Sequence, residues 1–354
     1  MIRVALVTVF ILYKSFAFSQ RFDSSAFKYS NQIDAEGIEK HLNVIASDEY
    51  EGRETGKKGQ KMAMDYLINQ FKSFGIKDYS NLKYRQSFSL VEQQNEGIEL
   101  SINDKTFKLH NEFEVSPSIL GDTAFSTEIV YVGNGTEEVY SKIKNKPEAV
   151  FIYINDTTNN WSLRKAVALA KENGVNSVFY WDNNFEIKAE KFEHYYKKAK
   201  MTLKENVVYK AITVRTNEDF FNSYLEGINF NYKKINKKGS EKALGSSTKA
   251  YIKIKKPSEE LTSENVLAYI PGTDKKEELI ILTAHYDHIG MEDSLIFNGA
   301  DDDGTGTVSL IEIAESFMNA KKDGYNLKRS ILIMPVSGEE KGLLGSKYYT
   351  DNPV

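Results

Sequence analysis

The chain has 354 residues, enough for one large domain or two of ordinary size. It carries 46 Lys and Arg against 50 Asp and Glu, a net charge of -4, with 41% hydrophobic and 27% charged residues. That balance belongs to a globular protein and excludes a basic nucleic-acid-binding stripe, while the absence of Cys excludes a disulfide framework and a lipid-anchored Cys.

The chain opens with "MIRVALVTVFILYKSFAFSQ": Arg3, an apolar run from Val4 to Tyr13, then the small residues Ala17 and Ser19 just before Gln20. This is the layout of a secretory signal, and its apolar run is shorter than the roughly 20 residues that span a bilayer. The expectation is removal of residues 1–19, export to the periplasm or beyond, and no membrane span afterwards. Residues 35–76 read as helix, loop, helix. The loop "IASDEYEGRETGKKGQ" is polar and punctuated by glycine, and Glu51, Gly52 and Arg53 are expected to shape it rather than do chemistry. The following helix places Met62, Tyr66, Ile68, Phe71 and Phe74 largely on one face, with Gly75 as its stop. Tyr84 to Leu90 alternates as a strand, and residues 97–109 resemble a short hairpin.

From 111 to 247 the character changes. "TEIVYVGNG", "EAVFIYIND" and "NSVFYWDNN" are short apolar runs ending in Gly, Asn or Asp, and "SLRKAVALAKENG" between the last two is helical. These predict a smaller inserted α/β unit over 111–247, flanked by 20–110 and 248–354. "KAEKFEHYYKKAKMTLKE" reads as helical or irregular, and "KKINKKGSEKALGSSTK" as a linker. After residue 250 the rhythm is that of a doubly wound, mostly parallel sheet: "NVLAYIPG", the buried strand "ELIILTAH", the helix "GTGTVSLIEIAESFMNA", the buried strand "RSILIMPVSGEE" and the helix start "GLLGSKYYTD".

Ligands in such sheets sit at the carboxyl ends of the strands, and three polar clusters fall there. His285, Asp287 and His288 follow one strand, Asp301 to Asp303 precede a helix, and Glu339 and Glu340 follow the next strand. Each cluster has an ordinary explanation: a loop histidine, helix-capping aspartates, surface glutamates. Together they form a donor set for Zn²⁺ or another divalent ion. A carboxylate can bridge two ions, and adjacent glutamates can divide metal binding from proton transfer. No HExxH pattern is present, which excludes the one-zinc protease layout. The residues by themselves support a metal-dependent hydrolase.

"LTAHYDHIG", "NGADDDGTGT" and "SGEEKGLLGSKYY", in this order, resemble the co-catalytic di-zinc aminopeptidases, the family of secreted bacterial leucyl aminopeptidases. "IASDEYEGRETGKKGQKMAMDYLINQF" is similar to that family's N-terminal segment, and 111–247 looks like its protease-associated insertion. The resemblance implies a zinc-exopeptidase fold, peptide substrates and two zinc ions. By matching position, it implies His285 as a ligand of the first zinc, with the Asp287 carboxylate orienting it. Asp302 would bridge, Glu340 would bind the second zinc, and Glu339 would be the general base. It also implies a cis peptide between Asp302 and Asp303. His288 matches no role, nor do His41, His110 and His194. The family uses a further Asp and a further His beyond the Glu pair. With Val354 fourteen residues after Glu340, the expectation is a chain that stops short of the whole catalytic domain. Other readings on the same scaffold are a carboxypeptidase, a glutaminyl cyclase, or a binding ectodomain like that of the transferrin receptor.

Overall fold

Local signals start the chain's helices, and burial then selects their faces. Ser24–Ser30 (α1) is followed by Ala35–Ile45 (α2), where the Asp34 carboxylate accepts from Gly37 N–H at 2.9 Å and caps the first turn. Lys58–Ser73 (α3) buries Ala63, Met64, Leu67, Ile68 and Phe71, while Met62 and Tyr66 flank that stripe. The structure, a computed structural model, describes residues 24–94, 96–115, 122–143, 145–154, 160–186, 199–206, 212–231 and 243–354. The expected signal segment lies outside the described residues, as does the expected linker up to residue 242. Among the described residues, no helix is long and apolar enough to cross a membrane.

The strand Arg85–Gln93 (β1) leads into the hairpin Gly97–Ile102 (β2) and Lys105–Phe107 (β3), then Phe113–Val115 (β4) and Thr123–Tyr131 (β5). After the helix Glu137–Lys142 (α4) come Ala149–Ile152 (β6), the helix Asn160–Glu172 (α5) and Ser177–Trp181 (β7). Lys200–Leu203 (β8), Ile212–Thr216 (β9), the helix Glu218–Gly227 (α6) and Ser247–Lys255 (β10) complete this region. Eight of these strands form one sheet in the order β3-β2-β10-β5-β6-β7-β9-β4. The run β5-β6-β7-β9 is parallel, and the rest pair antiparallel. Burial follows topology. The parallel β6 is buried at every residue, whereas β10 alternates, turning Thr248, Ala250, Ile252 and Ile254 inward. The inserted unit is wider than the expected 111–247. Its sheet runs from Gly97 to Lys255, because β2 pairs onto β10 and carries β3 with it. Its main core, including Phe113, Phe151, Phe179, Phe220 and Ile252, is drawn entirely from that span.

Part of the stretch expected to be helical or irregular is a strand: β8 pairs with β1, which also pairs with Ser258–Val266 (β11). Phe88, Leu90, Met201, Leu203 and Leu344 pack around this small sheet. The remaining elements are Ala268–Ile270 (β12), Lys275–His285 (β13), Gly290–Glu292 (β14), Leu295–Phe297 (β15), Thr305–Lys322 (α7), Arg329–Val336 (β16) and Leu344–Asp351 (α8). β13 and β16 are parallel, as the unbroken apolar runs implied, and β12 adds antiparallel to the far edge of β16. Helix α7 packs on β13 and β16 and against α2 and α3, uniting Ile45, Leu67 and Phe71 with Val308, Ile311, Ile331 and Ile333 in one core. The fold is α/β, as expected.

One expectation fails. β16 is buried after its first residue, but β13 is not a buried strand: Leu279 and Ile280 are 44% exposed and Ile281 is 40% exposed. Among the described residues β13 pairs only with β16, so no strand pairs with its second edge.

Candidate metal centre

Parallel pairing sets His285, the last residue of β13, opposite Val336, the last residue of β16, so the loops leaving both strands begin side by side. The start of α7 clasps this edge. His285 N–H donates to Asp303 Oδ2 at 3.3 Å, and the His285 carbonyl accepts from Thr307 Oγ1 at 2.7 Å.

The His285 ring is oriented by its own loop. Nδ1 lies 3.0 Å from the Asp287 carbonyl oxygen, so Nδ1–H donates there and Nε2 carries the free lone pair. Nε2 faces Asp302 Oδ1 at 3.2 Å and Glu339 Oε2 at 3.8 Å. Burial pulls the His285 pKa down, but the Asp287 carbonyl and the charges of Asp287, Glu339 and Asp303 outweigh it, leaving it raised. The Asp287 carboxylate was expected to orient this ring. It stands 3.8 Å from Nδ1 and ties loops together instead: Oδ2 accepts from Thr55 Oγ1 at 2.6 Å and Oδ1 from Glu339 N–H at 3.3 Å. Burial raises the Asp287 pKa, and the Thr55 hydroxyl is the largest of the effects opposing it.

The three aspartates have three tasks. Asp301 contributes its carbonyl to Thr305 Oγ1, while Asp303 Oδ1 accepts from Gly306 N–H at 3.1 Å and caps α7. Of the three, Asp302 is the one whose carboxylate faces the His285 ring. The Asp302–Asp303 peptide is cis, as expected. Gly299 starts this turn at φ 56°, and a Cβ there would stand 2.5 Å from Cγ of the His288 ring. Only glycine fits.

Glu339 and Glu340 diverge. The Glu339 side chain is 37% exposed beside His285, whereas Glu340 Oε1 is buried 2.7 Å from His288 Nδ1. Donor atoms of His288, Asp302 and Glu340 lie within 4.8 Å of one another. His288, given no role by the sequence reading, is thus at the centre; the only signal was its place three residues after His285 in "HYDH". Thr55 was also missed, and nothing local marks it.

Arg53 is fully buried and holds both loops in place. Nε donates to the Tyr286 carbonyl at 2.9 Å, Nη1 to those of Ile45 and Asn298 at 2.6 and 2.7 Å, and Nη2 to that of Gly299 at 2.8 Å. Its own carbonyl accepts from His288 N–H at 3.1 Å. Burial lowers the guanidinium pKa to about 10. The loop-shaping task expected of Arg53 fits this geometry. His41 is engaged elsewhere, with Nδ1 2.6 Å from the Tyr66 hydroxyl and Nε2 3.4 Å from Glu312. His194 lies outside the described residues.

Residues 265–353 match peptidase family M28. Aminopeptidase YwaD of Bacillus subtilis (strain 168) is 29% identical over 163 residues, 45% of this chain and 33% of that protein. A vacuolar membrane protease of Tuber melanosporum is 33% identical over 104 residues, 27% of this chain and 10% of that protein. A probable leucine aminopeptidase of Trichophyton verrucosum is 35% identical over 97 residues, 27% of this chain and 25% of that protein. The matched part therefore spans a third or less of these curated relatives. Among solved structures, an aminopeptidase from Aneurinibacillus sp. strain AM-1 aligns at TM-score 0.49 and 20% identity, covering 92% of this chain and 68% of that one.

Proposed function

We propose that this chain, whose residues 265–353 match peptidase family M28, carries the site of an exported zinc aminopeptidase that removes N-terminal residues from peptides. One observation carries the reading: His285, Asp302, Glu339 and Glu340 come from three segments and converge where two parallel strands end. Imidazole and carboxylate donors suit zinc. Glu340 Oε1 and His288 Nδ1, buried and paired at 2.7 Å, lie with an Asp302 oxygen in one group of possible donor atoms within 4.8 Å of one another. His285 and Asp302 would hold one ion, and Asp302 and Glu340 the other. When bound, the pair would polarise the scissile carbonyl and acidify water.

The chain's own residues do the rest. Glu339, half-exposed beside His285, takes the proton of the attacking water and returns it to the departing amine. Asp287 holds the Glu339 backbone to the His285 loop. Export is supported by the charged start, apolar run and small residues of 1–19. A panel of aminoacyl anilides, read with metal analysis on the protein that carries this chain, tests the activity. Zinc-loaded protein that cleaves none of them would sink it.

Thr55→Val removes the hydroxyl on Asp287 without changing side-chain size. A direct partner of a ligand is worth about 10–100-fold in metal affinity. Thr55 acts one residue further out, through Asp287, so zinc binding should weaken by about tenfold or less, read by chelator competition. We further read the Gly97–Lys255 unit as the protease-associated-like insertion. In limited digestion a protease of broad specificity should cut first within 233–249, where the sequence is rich in Lys, Gly and Ser. Early cleavage inside Leu279–Ala284, with 233–249 protected, would overturn that division.

A further inference from the structure

We infer that Asn265 is a positioning residue for the proposed reaction, clamping the two ends of the loop that carries Glu339 and Glu340. This rests on the reading of Glu339 as general base and adds a side chain from outside the metal centre.

Asn265 lies near the end of β11 and is fully buried, with Val266 and Leu267 buried after it. A buried amide is costly unless its donors and acceptor are met, and an apolar side chain would fill the same space more cheaply. Here each group has a partner. Nδ2 donates to the Gly345 carbonyl at 2.8 Å and to Gln86 Oε1 at 2.9 Å, and Oδ1 accepts from Ser337 N–H at 3.4 Å. Ser337 and Gly345 are the two ends of one loop, and Glu339 and Glu340 sit between them.

The ends of that loop are drawn tightly together. Gly345 N–H donates to the Ser337 carbonyl at 2.9 Å, and a Cβ on Gly345 would stand 2.2 Å from that carbonyl oxygen and 2.4 Å from Asn265 Oδ1. Ser263 Oγ donates to Ser337 Oγ at 2.8 Å and pins the same end. Within the loop, Leu344 N–H donates to the Gly338 carbonyl and Gly342 N–H to that of Glu339, each at 2.8 Å. The Glu339 side chain is 37% exposed, so its place is set by its backbone, held by Asp287 on one side and by this clamp at the base. Behind the clamp, Gln86 Nε2 donates to the Asn352 carbonyl at 2.7 Å, which fixes the amide that Asn265 bonds. A reacting group displaced by about 1 Å loses on the order of 100-fold in rate, so the clamp bears on turnover more than on substrate binding.

The test compares Asn265→Leu and Asn265→Asp with wild type in the protein that carries this chain. Rates are read per zinc-loaded molecule, and amide hydrogen exchange is followed in the metal-free form. Leu matches Asn in size and removes all three bonds. It should lower kcat by about 10–100-fold with KM within about threefold. It should also speed exchange over 337–345 by about tenfold or more while 331–336 keep their protection. Asp, kept neutral by burial, retains an O–H donor for Gly345 and an acceptor for Ser337. Its rate relative to wild type at the same pH should be highest at low pH and fall as the carboxyl ionises against the Gly345 carbonyl. Unchanged kcat and unchanged exchange over 337–345 in Asn265→Leu would overturn the clamp and leave Glu339 as the base. Faster exchange over 331–336 as well would mean a general loss of stability, and would also overturn it. A zinc-loaded wild type without activity would overturn the reading of Glu339 and this inference with it. Should Asn265→Leu fail to fold, the Asp variant decides: a rate ratio to wild type that is constant with pH refutes the clamp.

Discussion

Glu339→Gln is expected to keep both zinc ions and to lower turnover by about 10²–10⁴, the range that general-base catalysis supplies. The side chain is half-exposed and lies 3.8 Å from His285 Nε2, close to the ion's place but outside the His288, Asp302 and Glu340 group. Gln preserves shape and polarity and removes only the ability to take a proton, so KM should move little while kcat falls. Glu340→Gln should behave differently: its buried Oε1 is aimed at His288, and zinc should be lost with activity. Metal loss in the Glu339 variant and metal retention in the Glu340 variant would show that the two roles are exchanged. Leucyl-anilide hydrolysis and metal content, measured on the same samples, separate the cases.

Arg53→Ala should cost about 3–5 kcal/mol and take the metal centre with it. Four backbone carbonyls lose their donor at once, and three of them, of Tyr286, Asn298 and Gly299, belong to the loops that present His285, His288 and Asp302. A lysine in its place would keep the charge but lacks a planar fork, so Arg53→Lys should recover only a small part of the loss. The lowest thermal transition and zinc affinity are the readouts. A variant that melts like wild type and binds zinc equally would mean that other contacts hold these loops.

Much of the site was legible because its residues stand at short, fixed distances from elements that announce themselves. The apolar runs ending at His285 and Val336 read as parallel strands, and the polar clusters after them had to emerge at the sheet's carboxyl edge. Asp301 to Asp303 read as the start of a helix, and the helix begins at Thr305. These features depend on side-chain periodicity and chain order, which are local.

What the sequence by itself determined, then, was the α/β class, the parallel pair and the set of residues gathered at its end. The tertiary structure decided how those residues divide their tasks: Asp302 toward His285, Asp303 as cap, His288 against Glu340, and the Asp287 carboxylate on Thr55 rather than on the histidine ring. It also decided that the inserted sheet starts at Gly97 and that Leu279 to Ile281 lie open. Thr55 and Asp287 are 232 residues apart, and Arg53 and Gly299 are 246 apart. Contacts at such separations are set by how sheets and helices pack, and no local pattern of residues carries that information.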